Sequence, residues 1–394
     1  RHTRSLCDWS SDVCSSDLLY NIPNCYIGND FVNGMAEIID GIGPAQRKFN
    51  SEFLLLYIIL VLYKSPNCSD AKDIKKLIKR RMERFKIAAN HSIMTSEAET
   101  VFSNRQSSMR CNRSDSDIAS TFHKMVIRGN LRRAVRFLED SSGGQVLFPS
   151  SVDSSTDKPV SELLKEKHPP LRDVSDVHLE KYDSVPDFPD VNITEDVVEK
   201  IARRLSGSAG VVAFDSIMLR DALLRHGSAS KRLRSSLANF SNWLSNSDVP
   251  WAAYCGLMMC REIALDKMPG IRPIGIGCVF RRLIAKCVLS VTVTEATGAC
   301  SSEQLCAGLQ LGVEGAIHGM SALYEENCLH GSFGFLLVDA ANAFNNFSRI
   351  QMLWNVRHLW ASGSRFCFNC YKHQSFLLVR DPTCSDDFSL LSSE

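Results

Sequence analysis

The sequence has no paired-cysteine framework, no internal repeat, no secretory signal and almost no net charge. Each absence excludes something. Its fifteen cysteines are scattered, without the spacing of a disulfide scaffold or a zinc ribbon. Cys367 and Cys370 form one CxxC, and no second pair completes a tetrahedral site. Set among Phe366, Phe368 and Tyr371, they read as core packing on a helix. An odd cysteine count in an otherwise ordinary chain favours a reducing, intracellular setting over secretion. Phe53–Tyr63 (FLLLYIILVLY) is strongly apolar but only eleven residues long, against the roughly 20 that span a bilayer as a helix. Bounded by Glu52 and Lys64, it reads as a buried helix or strand, and no membrane partner is expected.

The net charge of +1 conceals an uneven distribution. Asp70 to Arg136 carries sixteen Lys/Arg against seven Asp/Glu, the balance of a polyanion-binding arm, a solvated helix face or a charged tail. At 394 residues the chain has room for about two or three domains. Residues 1–20 are set aside, because Arg4–Leu18 resembles a translated sequencing-adapter remnant. Residues 21–116 are basic, expected to be partly disordered, and unassigned to any domain. They hold the apolar run and an amphipathic basic helix with Ile74, Leu77, Ile78, Met82 and Phe85 at helical spacing. Ser92–Ser116 is polar and reads as a linker. Residues 117–191 read as a helical leader, two short helices broken at Gly129-Asn130, followed by a Pro/Ser-rich linker with Pro169-Pro170.

From residue 192 onward, helices alternate with at least two strands. Asn192 and Glu195 fit a capping pair ahead of Val198, Ile201 and Leu205, with further helices around Ile217–Leu224 and Leu233–Leu244. LDKMPGIRPIGIG is too rich in Pro and Gly for a helix and reads as a turn with Arg272–Ile276 extended after it. Val279, Leu283, Cys287 and Val291 mark a helix, and its opposite face carries Arg281, Arg282 and Lys286. Another helix runs from Val313 to Tyr324, and Ser348 with Gln351 forms a capping box before Ile350, Leu353, Trp354 and Leu359. Ser375–Val379 reads as a strand. The fold class is α+β or α/β, which pattern alone does not separate.

Two features carry candidate chemistry. In GFLLVDAANAFN, the apolar run Phe335–Val338 has the composition of a strand buried on both faces and ends in Asp339. An acid there is costly unless exposed, paired or holding a metal, although it could equally cap the next helix. Lys267 and Arg272 flank a rigid Pro-Gly turn, which suits a triphosphate, a point charge beside a guanidinium fork. Exposed surface cations beside a turn are the competing reading.

Three ordered stretches, LDKMPGIRPIGIGCVFRRLIAKC, SEQLCAGLQLGVEGAIHGM and LLVDAANAFNNFSRIQMLWNVRHLW, together closely resemble the reverse transcriptases of non-LTR-type eukaryotic retroelements. FHKMVIRGNLRRAVRFL and LLKEKHPP more weakly resemble the leader of such elements. The resemblance implies an α+β fold, a partial right-hand polymerase whose fingers and incomplete palm occupy residues 192–394. It implies an RNA-directed DNA polymerase of a retrotransposon, adding dNTPs to a DNA primer on an RNA template. Asp339 would be the catalytic acid and, with the Ala340 carbonyl, a ligand of two Mg2+ ions (Mn2+ an alternative). Lys267 and Arg272 would hold the triphosphate, Ala340 and Phe344 would border the nucleotide, and Phe344 would exclude a 2′-hydroxyl. Arg281, Arg282 and Lys286 would meet template or primer phosphates. The family pattern continues with a Gln-Gly turn and a hairpin ending in paired aspartates. Neither occurs in these residues, and Asp386 and Asp387 lie in a polar loop, so an inactive fragment is expected. The alternatives are a non-catalytic nucleic-acid-binding remnant and a pseudogene fragment.

Overall fold

The structure, a computed structural model, describes residues 18–44, 47–66, 68–108, 146–170, 183–267, 269–300, 311–380 and 388–392. It also describes scattered residues between 119 and 135 and residues 179, 304 and 305. The chain is α+β, predominantly helical with one small sheet.

Four helices open the described chain: α1 (Tyr26–Ile42), α2 (Ser51–Leu62), α3 (Ala71–Phe85) and α4 (His91–Ser108). The apolar run lies in α2, started by Asn50, whose side chain accepts the Phe53 N–H at 2.9 Å. Eight of its residues are buried, so it is a core helix. Among the described residues no single helix is long and apolar enough to cross a membrane. Helix α3 follows the expected pattern, with Ile78, Met82 and Phe85 buried. Its one buried cation, Arg81, reaches back to the carbonyls of Val61 and Tyr63 at the end of α2 and stacks 3.4 Å over the Tyr63 ring. That satisfies orphan carbonyls at a helix C-terminus with a positive group, the favourable polarity.

The polar stretch expected to be a linker from Ser92 is helical up to Ser108 instead. Its inward residues are few but correctly spaced: Met94 and Ala98 are buried, Val101 packs beside them, and Arg84 pairs with Glu97 at 3.0 Å. Three small or flexible apolar groups at i, i+4 and i+7 are enough to seat a helix whose other faces are wet. Of the two helices expected over 117–139, the described residues 119, 120, 122, 123, 126, 127, 131, 134 and 135 are all helical, and the others lie outside the described residues.

The leader contributes β1 (Val146–Leu147) and α5 (Val160–Glu166). Then come α6 (Glu195–Arg203), α7 (Ser216–Leu224), α8 (Gly227–Asn246) and α9 (Trp251–Met258). Helix α6 is capped by Thr194, which accepts the Val197 N–H, rather than by Asn192. Strands β2 (Cys260–Asp266) and β3 (Ile271–Gly277) form an antiparallel hairpin. Pro273 is tolerated because, among the described residues, β3 pairs with β2 alone and is an edge. After α10 (Val279–Val291), α11 (Val293–Cys300), α12 (Gly312–Asn327), α13 (Ala343–Asn346), α14 (Arg349–Leu359) and α15 (Ala361–Tyr371), the chain returns as β4 (Ser375–Val379), parallel to β2. Strand β5 (Phe388–Ser392) pairs antiparallel with β4, and β1 pairs with the far end of β2.

One large core joins α1–α4 to α6–α10 and α15, so the unassigned amino-terminal residues pack into the body of the protein. Helix α1 lies along α8, and His226 Nδ1 meets Asn29 Oδ1 at 3.0 Å between them. A second, smaller core packs Val160, Leu163 and Leu164 of α5 against Ala264, Ile271 and Val379 of the sheet. Cys367 and Cys370 lie on α15 within the large core, where burial pushes both thiols up to about 12.

The tie between α15 and the rest of the fold is Asn369, fully buried. Its Nδ2 donates to the carbonyls of Leu244 (2.8 Å) and Ser247 (2.7 Å), and its Oδ1 accepts the Val249 N–H at 3.2 Å. Tyr254 Oη donates to the Asn369 carbonyl at 2.7 Å. One side chain thus satisfies the backbone between α8 and α9. Asn369→Ala is expected to leave those groups unpaired and lower stability by about 3 kcal/mol, since each orphaned buried group costs about 1–3 kcal/mol. Urea denaturation checks this, and a loss under about 0.5 kcal/mol, the range of neutral surface changes, would mean the amide is not a tie.

Candidate nucleotide and metal site

The β2–β3 hairpin turns in the smallest way available. Lys267 N–H donates to the Gly270 carbonyl at 3.1 Å, closing a tight turn, and Gly270 takes φ +80°, a glycine conformation. The register pairs Leu265 with Arg272, so Lys267 is the diagonal cross-strand neighbour of Arg272. Such neighbours lie about 7–8 Å apart on one face. Both side chains are exposed. The hairpin therefore brings together the two cations that the sequence singled out, on a stiff tip.

Arg281 and Arg282 sit at the start of α10 and point elsewhere. Arg281 Nη1 donates to the Met258 carbonyl at 3.3 Å and Nη2 contacts Cys260 Sγ at 3.2 Å. A Cβ on Gly277 would come within 2.3 Å of that guanidinium, so the glycine leaves room for it. Arg282 donates to the carbonyls of Ser206 (3.2 Å), Ser208 (2.8 Å) and Gly277 (3.1 Å), clamping the 206–210 loop onto the sheet. Lys286, one turn on, is exposed. Of the three cations expected to face nucleic acid, two are engaged with protein carbonyls and Lys286 projects outward.

The run Phe335–Val338 departs from expectation. It is extended but belongs to no strand, and Leu336, Leu337 and Val338 are 88, 87 and 83% exposed. Among the described residues it pairs with no strand: β2 is flanked by β3 on one edge and by β1 and β4 on the other, and β5 lies beside β4. Asp339 and Ala340 follow in the same exposed segment, and Phe344 on α13 is 98% exposed, so it is not a core residue. Helix α12, expected from Val313 to Tyr324, is present, yet none of its residues is buried.

No hydrogen bond or ion pair joins the hairpin cations to Asp339 among the described residues. The leader bridges the two parts. Ser155 Oγ accepts the Gly270 N–H at 2.8 Å at the hairpin tip. Lys167 offers its carbonyl to Asn342 Nδ2 at 2.8 Å, holding the turn three residues beyond Asp339, where Asn342 itself is left-handed at φ 53°. Next to Lys167, His168 Nε2 lies 3.4 Å from the carboxylate of Glu262, a buried acid on β2. Glu262 is paired with Gly275 on β3, where a Cβ would come 3.2 Å from Oε2. The glycine thus makes room for a buried acid. Ser155, His168, Glu262 and Asn342 were missed by the sequence reading. The faint signals were an acid inside the alternation of CREIALD and a repeated Asn in NAFNN.

The donor set does not by itself fit a pair of magnesium ions. Asp339 and the Ala340 carbonyl are hard oxygen donors of the right type. Among the described residues no group of three or more His, Cys, Asp or Glu side chains is gathered to hold a metal. Asp386 and Asp387 lie outside the described residues. No protein-family model, curated protein or solved structure matches this chain.

The Ser155 contact depends on Asp153, a buried residue whose carboxylate accepts from Ser155 Oγ (2.6 Å), Thr156 Oγ1 (2.7 Å) and the Thr156 N–H (2.9 Å). These hydroxyl donors hold its carboxyl below the usual carboxylate range. A depressed carboxyl stabilises the fold above its unfolded value, near pH 4, and loses that contribution as pH falls through the lower folded value. The stability gap between wild type and Asp153→Asn is therefore expected to be largest near neutrality and to shrink below about pH 4. Urea titrations across that range measure it, and a gap independent of pH would show that the charge is not what holds the turn.

Proposed function

We propose that this chain carries the fingers and the first acid-bearing segment of the palm of an RNA-directed DNA polymerase of the retroelement type, working on an RNA template and a DNA primer. The observation that carries the reading is the hairpin tip, where Lys267 and Arg272 stand side by side, exposed, on a Pro-Gly turn pinned by Ser155. A triphosphate needs clustered cations whose geometry is set beforehand, since ordering long side chains at the moment of binding costs affinity.

The exposed segment supports the same reading. An apolar run that ends in Asp339 and lies uncovered has the character of a sheet strand awaiting neighbours, as a palm strand would. Phe344, almost fully exposed five positions beyond the acid, is available to pack beneath an incoming sugar, and its ring would crowd a 2′-hydroxyl. Lys286 is the cation best placed for a backbone phosphate. Arg281 and Arg282 act in this reading as braces that fix the sheet to α10.

The reaction class is nucleotidyl transfer to a primer 3′-hydroxyl, with magnesium supplying charge stabilisation when bound. One carboxylate is a third of the cage that two such ions need, so these residues alone are not expected to extend a primer. Triphosphate binding is expected nonetheless. In a titration of a fluorescent deoxynucleoside triphosphate with Mg2+ present, Lys267→Gln and Arg272→Gln should each weaken binding about tenfold, the size of one charge-assisted hydrogen bond. Undiminished affinity in both variants sinks the reading. Extension of a primed RNA by this chain, abolished in Asp339→Asn, would overturn the expected inactivity alone.

A further inference from the structure

A second feature lies away from the hairpin, in the amino-terminal helical layer. Helices α1, α2 and α3, residues 47–50 and the start of α9 line a cleft of about 1270 Å3. Its floor is aromatic. Phe49 and Phe53 stack at 4.6 Å with an interplanar angle of 6°, and Phe53 sits 5.0 Å from Phe85 and 5.5 Å from the His91 ring. Phe49, Phe53 and His91 are half-buried, and Lys48 Nζ lies over the Phe49 ring, 5.0 Å from its centroid.

The walls differ in charge. Asp30 and Glu37 line the α1 side, whereas Arg47, Lys48, Lys79 and Lys86, with one acid, Glu83, line the loop and the α3 side. Outside the cleft, α3 continues the positive wall. Lys72, Lys75, Lys76 and Lys79 fall at i, i+3, i+4 and i+7, one helical face, and all are exposed, as are Arg80 and Lys86. Asp73 and Glu83 are the exposed acids of that helix, and Lys76 lies 3.8 Å from Asp73. A cationic track about 20 Å long thus leads into an aromatic-floored cleft.

We infer that this cleft and the α3 track form a binding site for single-stranded nucleic acid. The chemistry matches part by part. Lysines at helical spacing follow a phosphate backbone without reading sequence, and flat rings accept unpaired bases by stacking. The carboxylates on α1 repel phosphate, which holds the backbone to the α3 side and turns the bases toward the rings. A duplex keeps its bases stacked inside and cannot use the floor, so the site selects a single strand. The inference is independent of the polymerase reading, because it uses none of the hairpin or Asp339 residues.

The test is fluorescence anisotropy with the full chain and a short labelled oligouridine. A strand of equal length and charge with abasic positions is the second probe. Wild type is expected to bind oligouridine about tenfold tighter than the abasic strand. Phe49→Ala, at a loop position, should erase that difference while leaving the salt dependence unchanged. Lys72→Gln/Lys76→Gln/Lys79→Gln should weaken both strands roughly tenfold and reduce the slope of log affinity against log salt by about 2. Equal binding of the two strands by wild type overturns the stacking floor, and undiminished binding by the triple variant overturns the track. Capture on anionic phosphatidylserine vesicles without strand binding overturns the proposal in favour of a membrane surface. Lys267→Gln/Arg272→Gln should leave strand affinity within twofold. A large loss there would place the strand on the hairpin instead.

Discussion

The arrangement depends first on a buried amide. Asn369 lies on α15, yet all the groups it satisfies belong to residues 244–254, more than a hundred positions earlier. Those residues form the break between α8 and α9, where backbone N–H and C=O groups leave the helical ladder and would otherwise be stranded in the core. The amide answers two acceptors and one donor at once, a match that neither a hydroxyl nor a carboxylate offers. Because α9 runs directly into β2 and α15 directly into β4, the same bond network sets how the two parallel strands approach. The sheet therefore inherits its geometry from a helix–helix contact.

From that frame the leader reaches across to the candidate site. It lays β1 against β2, seats α5 on the sheet, offers Ser155 to the hairpin tip and gives the Lys167 carbonyl to Asn342. These are single hydrogen bonds at exposed or half-buried positions, each worth about 1 kcal/mol. Their value is positional: a turn that carries two like charges tends to splay, and a backbone anchor at Gly270 opposes that. Glu262 and His168 make the same junction more demanding, because a buried acid tolerates few neighbours, and Gly275 is what the opposite strand supplies.

Much of this was legible in the residues. The α3 pattern, the turn at Pro269-Gly270, the strand β4 and the Ser348 cap all follow from local periodicity and turn chemistry, and each is present. The alternation of helices with strands left α+β and α/β open, and the small mixed sheet decides for α+β. Helix α4 was not legible, because Met94, Ala98 and Val101 are too few to outweigh a polar sequence until α2 and α3 supply a surface for them. The exposure of Leu336 to Val338 was not legible either. Composition reports what a segment would bury, whereas burial needs a neighbouring strand, and no described strand pairs with this segment.

The candidate site divides in the same way. The sequence by itself determined that Lys267 and Arg272 share one rigid turn, because a Pro-Gly turn leaves the backbone few alternatives, and that Asp339 ends an apolar run. It could not decide where Arg281 and Arg282 point. Both carry the same charge at adjacent positions, and only the nearby carbonyls of Met258, Ser206, Ser208 and Gly277 draw them inward and leave Lys286 outside. Nor could it show that residues 21–108 share a core with the rest, since that packing joins helices some two hundred residues apart through side chains with no sequence neighbour in common. Local preference is written in adjacent residues, but the direction of a cation or the cover over a strand is set by whatever the fold brings beside it.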